Sequence, residues 1–119
     1  NFVRGIGSVV ANYDVDRHED ADKAKQALRS AVEELMEMED IRGLVIGEPS
    51  FAGIVGLTNT AFTLRVSFTT QPLKQWTVRF ALDSMVKKHF DLAEVRTPVQ
   101  TYQVLSPAGA LPPPQEPTL

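Results

Sequence analysis

Histidine is the side chain of this sequence best suited to acid–base catalysis or metal binding near neutral pH. His18 lies in a polar segment between Arg17 and Glu19, and His89 lies at the edge of the apolar face of a predicted helix. Neither has another histidine or a cysteine at a spacing that would complete a metal site. Both histidines are therefore predicted to have ordinary structural roles.

Five acidic residues between positions 14 and 22 form a second cluster, one that could bind a hard cation. The cluster lacks the glycine and the terminal bidentate glutamate of an EF-hand loop. Asp16 and Glu19 instead have the spacing of a capping box, with aspartate replacing the usual serine or threonine. The cluster is therefore predicted to cap a helix, and no metal site is predicted.

The remaining motifs do not indicate an enzyme. Gly5-Ile6-Gly7 precedes a predicted strand instead of joining a strand to a helix, so it does not fit a phosphate-binding loop. No nucleophile stands out beside a base that could activate it. We therefore predict a protein without catalytic residues, cofactor or metal.

The charge pattern disfavours nucleic acid as a partner. The net charge is −3, and acidic and basic residues are mixed along the chain instead of forming a basic face. Phe62 and Phe68 alternate in phase with Leu64 and Val66, so they are predicted to lie in the core and not on an exposed stacking surface.

The 119 residues suffice for one domain with its own core. With no cysteine, the chain has neither a disulfide scaffold nor a thiolate metal site, which fits the cytosol. No apolar run approaches the roughly 20 residues that span a bilayer. Because the chain begins with Asn1 and not methionine, it is expected to be a piece of a longer protein.

Periodicity predicts the order strand, helix, strand, strand, helix, strand. The predicted elements are strands at 8–13, 51–57, 61–69 and 95–105 and helices at about 18–39 and 72–91, the second opened by Pro72. Residues 44–46 could be a further short strand or a buried loop. The order predicts an α+β, ferredoxin-like βαββαβ fold with an antiparallel-rich sheet and both helices on one face. Residues 1–105 would form this domain, and 106–119, with five prolines, an extended tail.

The second predicted helix has two apolar stripes. The stripe predicted to face the core consists of Val78, Leu82, Met85, Val86 and His89. A second stripe, formed by Leu73, Trp76 and Phe80, points away from the first. Either another segment of the same chain covers it, or a neighbouring subunit does. Because a two-layer domain has only one sheet to cover and aromatic anchors are enriched at interfaces, we predict a subunit interface.

Several short motifs follow one another in a fixed order over about residues 8–100. They are VANYDVD at 10–16, FAGIVGL at 51–57, VSFTTQP at 66–72, QWTV at 75–78, KKHFD at 87–91 and the proline at 98. The series resembles the C-terminal cytoplasmic region of the small-conductance mechanosensitive channel (MscS) family. Phe80 departs from the family pattern, which often has arginine there, and Glu94 stands where glycine usually ends the helix.

The resemblance implies a fragment of a homo-heptameric channel of the inner cell membrane. Its transmembrane helices, which open under bilayer tension, would contact the lipid and lie outside this chain. The α/β domain would form the lower wall of a cytoplasmic cage that supports assembly and filters solutes, and its last strand would join six others in a small barrel. The alternative is a ferredoxin-like regulatory module that binds a small ligand and often dimerises through sheet edges.

Overall fold

The computed structural model describes residues 6–98 of the chain. Its elements are β1 (Gly7–Asp16), α1 (Ala21–Glu37), the short helix α2 (Glu39–Arg42), β2 (Val45–Leu57), β3 (Ala61–Thr70) and α3 (Gln75–Leu92). Within this range the strands form one antiparallel sheet in the order β1-β3-β2. β1 and β2 therefore run in the same direction on either side of β3, which confirms the predicted α+β, split βαβ arrangement.

One face of the sheet and one face of each long helix enclose the core. On β3 the predicted alternation is confirmed, since Phe62, Leu64, Val66 and Phe68 are all buried. The predicted core stripe of α3 is confirmed as well: Val78, Leu82 and Val86 are buried, and Met85 and His89 are partly buried. The buried residues of α1 are Ala24, Ala27, Leu28, Ala31, Val32 and Leu35. Both helices thus cover the same face of the sheet.

β2 is a long, irregular strand at one side of the sheet. Residues 44–46 had two possible interpretations, and the structure places Val45 and Ile46 in the same strand as residues 51–57. The thirteen residues of β2 lie against residues 62–70 of β3, and the register shifts at three points. Gly53, at one of these shifts, has a φ of 81°, a value that glycine adopts without steric cost.

The two long helices, α1 and α3, begin later than the sequence predicts. The N-cap of α1 is Asp20, whose carboxylate accepts hydrogen bonds from the backbone N–H groups of Asp22 and Lys23, so the predicted Asp16–Glu19 capping box is wrong. Asp16 is instead the last residue of β1, where it pairs with Ala61. Pro72 does not open α3, because Leu73 has a φ of 65° and the helix begins at Gln75.

Glu19 joins the segment after α3 to the end of β1. Its Oε1 accepts hydrogen bonds from Arg96 N (2.8 Å) and Nε (3.3 Å), and its Oε2 accepts from Asp20 N (2.9 Å) and Lys23 Nζ (3.1 Å). Asp16 N in turn donates to Arg96 O at 2.9 Å. Residues 95–98 do not form a strand here, and the rest of the predicted last strand, like the tail at 106–119, lies outside the described residues.

Glu19→Gln is expected to remove stability that depends on pH. Hydrogen bonds, above all from Arg96 N, lower the pKa of the Glu19 carboxyl from its ordinary 4.5 to about 2. A carboxyl with a lowered pKa stabilises the fold above its unfolded pKa, and this stabilisation is lost as the pH falls from about 4.5 to about 2. In thermal melts, Glu19→Gln should therefore be less stable than the wild type at neutral pH, and the two curves should converge in acid. If the melting temperatures of Glu19→Gln and the wild type differed by the same amount at every pH, the pH-dependent role of Glu19 would be contradicted. The same pH-dependent loss in the exposed control Glu33→Gln would contradict it as well.

Candidate interface on the last helix

The start of α3 is held against the ends of all three strands. Gln71, just after β3, donates from its backbone N to Leu44 O (2.8 Å) and from Nε2 to Gly43 O (2.7 Å), at the start of β2. On the other side, a Cβ at Gly7 would meet Gln75 Oε1 and Thr70 Oγ1 at 2.7 Å. Glycine at position 7 therefore allows β1 to approach Gln75, the first residue of α3, closely.

The second stripe of α3 lies on the surface. Leu73, Trp76 and Phe80 are 87%, 63% and 65% exposed, whereas Val78 and Leu82 on the opposite side of the helix are fully buried. The rings of Trp76 and Phe80 lie with their centroids 6.2 Å apart and their planes at 33°. The alternative in which another segment of the same chain covers the stripe is not seen within residues 6–98. We refer to Leu73, Trp76 and Phe80 together as the α3 surface.

A hydrogen-bond network on the flank of α3 pairs the charges beside this surface. Arg79 Nε lies 3.2 Å from Asp83 Oδ1, and its Nη1 lies 3.4 Å from Val10 O on β1. The Tyr13 hydroxyl donates to Asp83 Oδ1 at 2.7 Å. Burial, together with this hydrogen bond, raises the pKa of Tyr13, so the hydroxyl remains a donor. Because these charges are paired with each other, the α3 surface offers apolar contact area and no reactive group.

The two histidines are not brought together. His18 is exposed in the turn after β1, 3.6 Å from Asp16, whereas His89 Nε2 lies 2.7 Å from Glu34 Oε1 on α1. Lys88 Nζ lies 2.7 Å from the other oxygen of Glu34, and the hydrogen bonds from Lys88 and His89 lower the pKa of the Glu34 carboxyl. These contacts join α1 to α3. Across residues 6–98, no group of three or more histidine, aspartate or glutamate side chains is placed to hold a metal ion.

A second exposed apolar surface, which the sequence did not single out, lies at the end of β2. Ile54, Val55 and Leu57 are 46%, 39% and 62% exposed. Ile54 lies opposite Leu64 and Leu57 opposite Phe62, so both point to the helix-covered face of the sheet. The β3 partners are buried in the core, whereas Ile54 and Leu57 remain exposed, and a strand pattern alone does not show how far the helices cover the sheet. We call these three residues the β2 surface.

Among residues 6–98, no helix is long and apolar enough to cross a membrane. A family model described as "Mechanosensitive ion channel MscS, C-terminal" matches residues 9–97. Among curated proteins, the moderate conductance mechanosensitive channel YbiO of Escherichia coli (strain K12) is 82% identical over 123 aligned residues. The alignment takes in all of this chain but only 17% of the relative.

Proposed function

Since the chain belongs to the family of MscS mechanosensitive ion channels, whose C-terminal domain it matches, we propose that it forms the wall of a cytoplasmic cage beneath the channel. In this proposal seven copies assemble around the conduction pathway of an inner-membrane protein. The domain supports that assembly and filters solutes, and it carries no catalytic or cofactor role. The observation that carries the proposal is the exposed α3 surface.

The energy available from this surface suits a subunit contact. Full burial of a large apolar side chain contributes about 1.5–3 kcal/mol. Trp76 and Phe80 are each roughly two-thirds exposed, so covering them with a neighbour would stabilise the contact by roughly 1–2 kcal/mol apiece. A ring repeats the contact at every subunit boundary, so a modest local gain becomes a large total.

The face of the sheet away from the helices supports a role as a wall that meets water. Polar side chains pair across its strands: Thr63 donates to Asp14 at 2.7 Å, and Arg65 donates to Asn12 at 2.9 Å. These pairs satisfy their own hydrogen bonds and keep charge on the surface. A polar face of this kind would influence which solutes pass along the wall.

The alternative, a regulatory module that dimerises through sheet edges, is less well supported. An edge strand recruits another strand when its backbone is regular and open. β2 has three register shifts, and Pro49 lacks a backbone donor. Its irregular backbone therefore opposes edge-to-edge pairing on that side of the sheet.

The proposal is tested on the intact membrane protein that contains this domain. Cells that lack other mechanosensitive channels but carry the gene should give membrane patches in which channel currents appear under suction. Patches from the same cells without the gene should show no such currents. The purified protein in detergent should have the mass of seven copies. A monomer or dimer by mass, or patches that stay silent under suction, would overturn the proposal.

A further inference from the structure

The α3 surface and the β2 surface belong to elements at opposite edges of the described sheet. In the sheet order β1-β3-β2, the strand that α3 contacts most is β1, and β2 is at the other edge. The α3 surface therefore lies on the helix above β1, on the side away from the core, whereas Ile54 and Leu57 lie on β2 at the other edge of the described sheet. Among residues 6–98, the aromatic α3 surface and the aliphatic β2 surface are thus separate and unlike.

This placement determines the kind of symmetry that can bury both surfaces. A two-fold contact uses the same patch of both subunits, so it can bury both surfaces only if they belong to one patch. Because the two surfaces lie on elements at opposite edges of the described sheet, one two-fold contact would bury one of them and leave the other exposed. A head-to-tail contact joins two different surfaces, and when its rotation closes around an axis it gives a ring. The two unlike surfaces therefore favour a ring of identical subunits over a dimer.

The area of the surfaces suits one such contact. With about 200 Å² for each aromatic side chain, Trp76 and Phe80 present roughly 250 Å² between them. A standard interface buries about 800 Å² per partner, of which roughly 450 Å² is apolar. Together with Leu73, which is 87% exposed, these rings provide most of the apolar share of one side. The β2 surface provides a smaller apolar face of aliphatic side chains against which aromatic rings can pack.

We propose that Trp76 and Phe80 of one subunit pack on Ile54 and Leu57 of the next copy of this chain around the ring. The contact is made by side chains, because the irregular backbone of β2 opposes the addition of a neighbouring strand. This inference rests on the proposed function, since it assumes a ring, and it adds the identity of the acceptor surface.

Cysteine cross-linking in the intact membrane protein tests the contact, and the absence of cysteine from these 119 residues makes positions here easy to label. Phe80→Cys combined with Leu57→Cys, in a background without other reactive cysteines, should give a ladder of covalent oligomers with a short thiol-reactive cross-linker. Each single variant should give none. The control pair is Leu92→Cys with Leu57→Cys, since Leu92 is 70% exposed at the far end of α3. The control should link at least about tenfold less.

The outcomes separate this inference from the proposed function. If the double variant has the mass of the ring but does not cross-link above the control, the ring stands and the acceptor surface is wrong. If Phe80→Cys alone yields linked dimers, the contact is two-fold and the head-to-tail arrangement is wrong. If the wild-type protein does not form a ring at all, the proposed function fails first.

Discussion

Replacing Trp76 and Phe80 together by alanine is expected to abolish assembly of the intact protein while leaving the isolated domain folded. Both rings are about two-thirds exposed, so the domain's own core loses little when they are removed. Truncating an interface hot spot commonly costs about 2 kcal/mol or more of association free energy. The loss recurs at each boundary of a ring, so the detergent-solubilised protein should shift from the ring to small species in mass measurements.

The control for this variant is Leu92→Ala, which removes another exposed apolar side chain from the same helix. Its assembly should match that of the wild type. A denaturant melt of the 119-residue chain, at a concentration where it is monomeric, provides the second readout. Removing a core aromatic costs roughly 3–5 kcal/mol. A drop of that size for the double variant, with an unchanged slope, would place the rings in the core and contradict the interface.

Leu82→Ala is expected to lower the free energy of unfolding of the domain by about 2–5 kcal/mol. Leu82 is fully buried on the side of α3 that faces the sheet, and alanine would leave a cavity there. The loss is a large share of the roughly 5–15 kcal/mol that stabilises a typical domain. Urea melts followed by far-UV circular dichroism would measure it.

Phe80→Ala, two positions away on the same helix, is the matched comparison for Leu82→Ala. It removes a larger side chain, yet surface substitutions usually change stability by less than about 0.5 kcal/mol. The smaller truncation should therefore have the larger effect. Equal losses for the two variants, or a larger loss for Phe80→Ala, would show that α3 is rotated about its axis and that the aromatic rings face the sheet.

The buried side of each helix and strand could be predicted from the sequence, because it depends on the spacing of apolar residues within a short segment. Alternation in β3 identified Phe62 and Phe68 as core, and the i, i+4 spacing of Val78 and Leu82 identified the buried side of α3. The same spacing placed Trp76 and Phe80 away from the core. The pairing of residues 51–57 with 61–69 followed from two apolar segments around the Thr58-Asn59-Thr60 turn, and it is confirmed.

Features that depend on tertiary contacts were not predictable in this way. Asp16 has a good capping spacing, but pairing with Ala61 keeps it in β1 and moves the cap to Asp20. Glu19 was assigned to the cap, yet its buried carboxylate binds Arg96, 77 residues further along the chain. The exposure of the β2 surface depends on how far the helices cover the sheet. None of these contacts leaves a pattern within a short window of sequence.

The sheet order also determines when during synthesis this domain can fold. β3 lies between β1 and β2 but is made after both, and in the described sheet those two strands pair only with it. Gly7 can pair with its partner Thr70 only after the 62 residues between them have been synthesised. Until β3 leaves the ribosome, the apolar face of α1 has no sheet on which to pack, so its buried residues stay exposed in the nascent chain. α3 emerges directly after β3, so Trp76 becomes available to a neighbour only after all three described strands have been made.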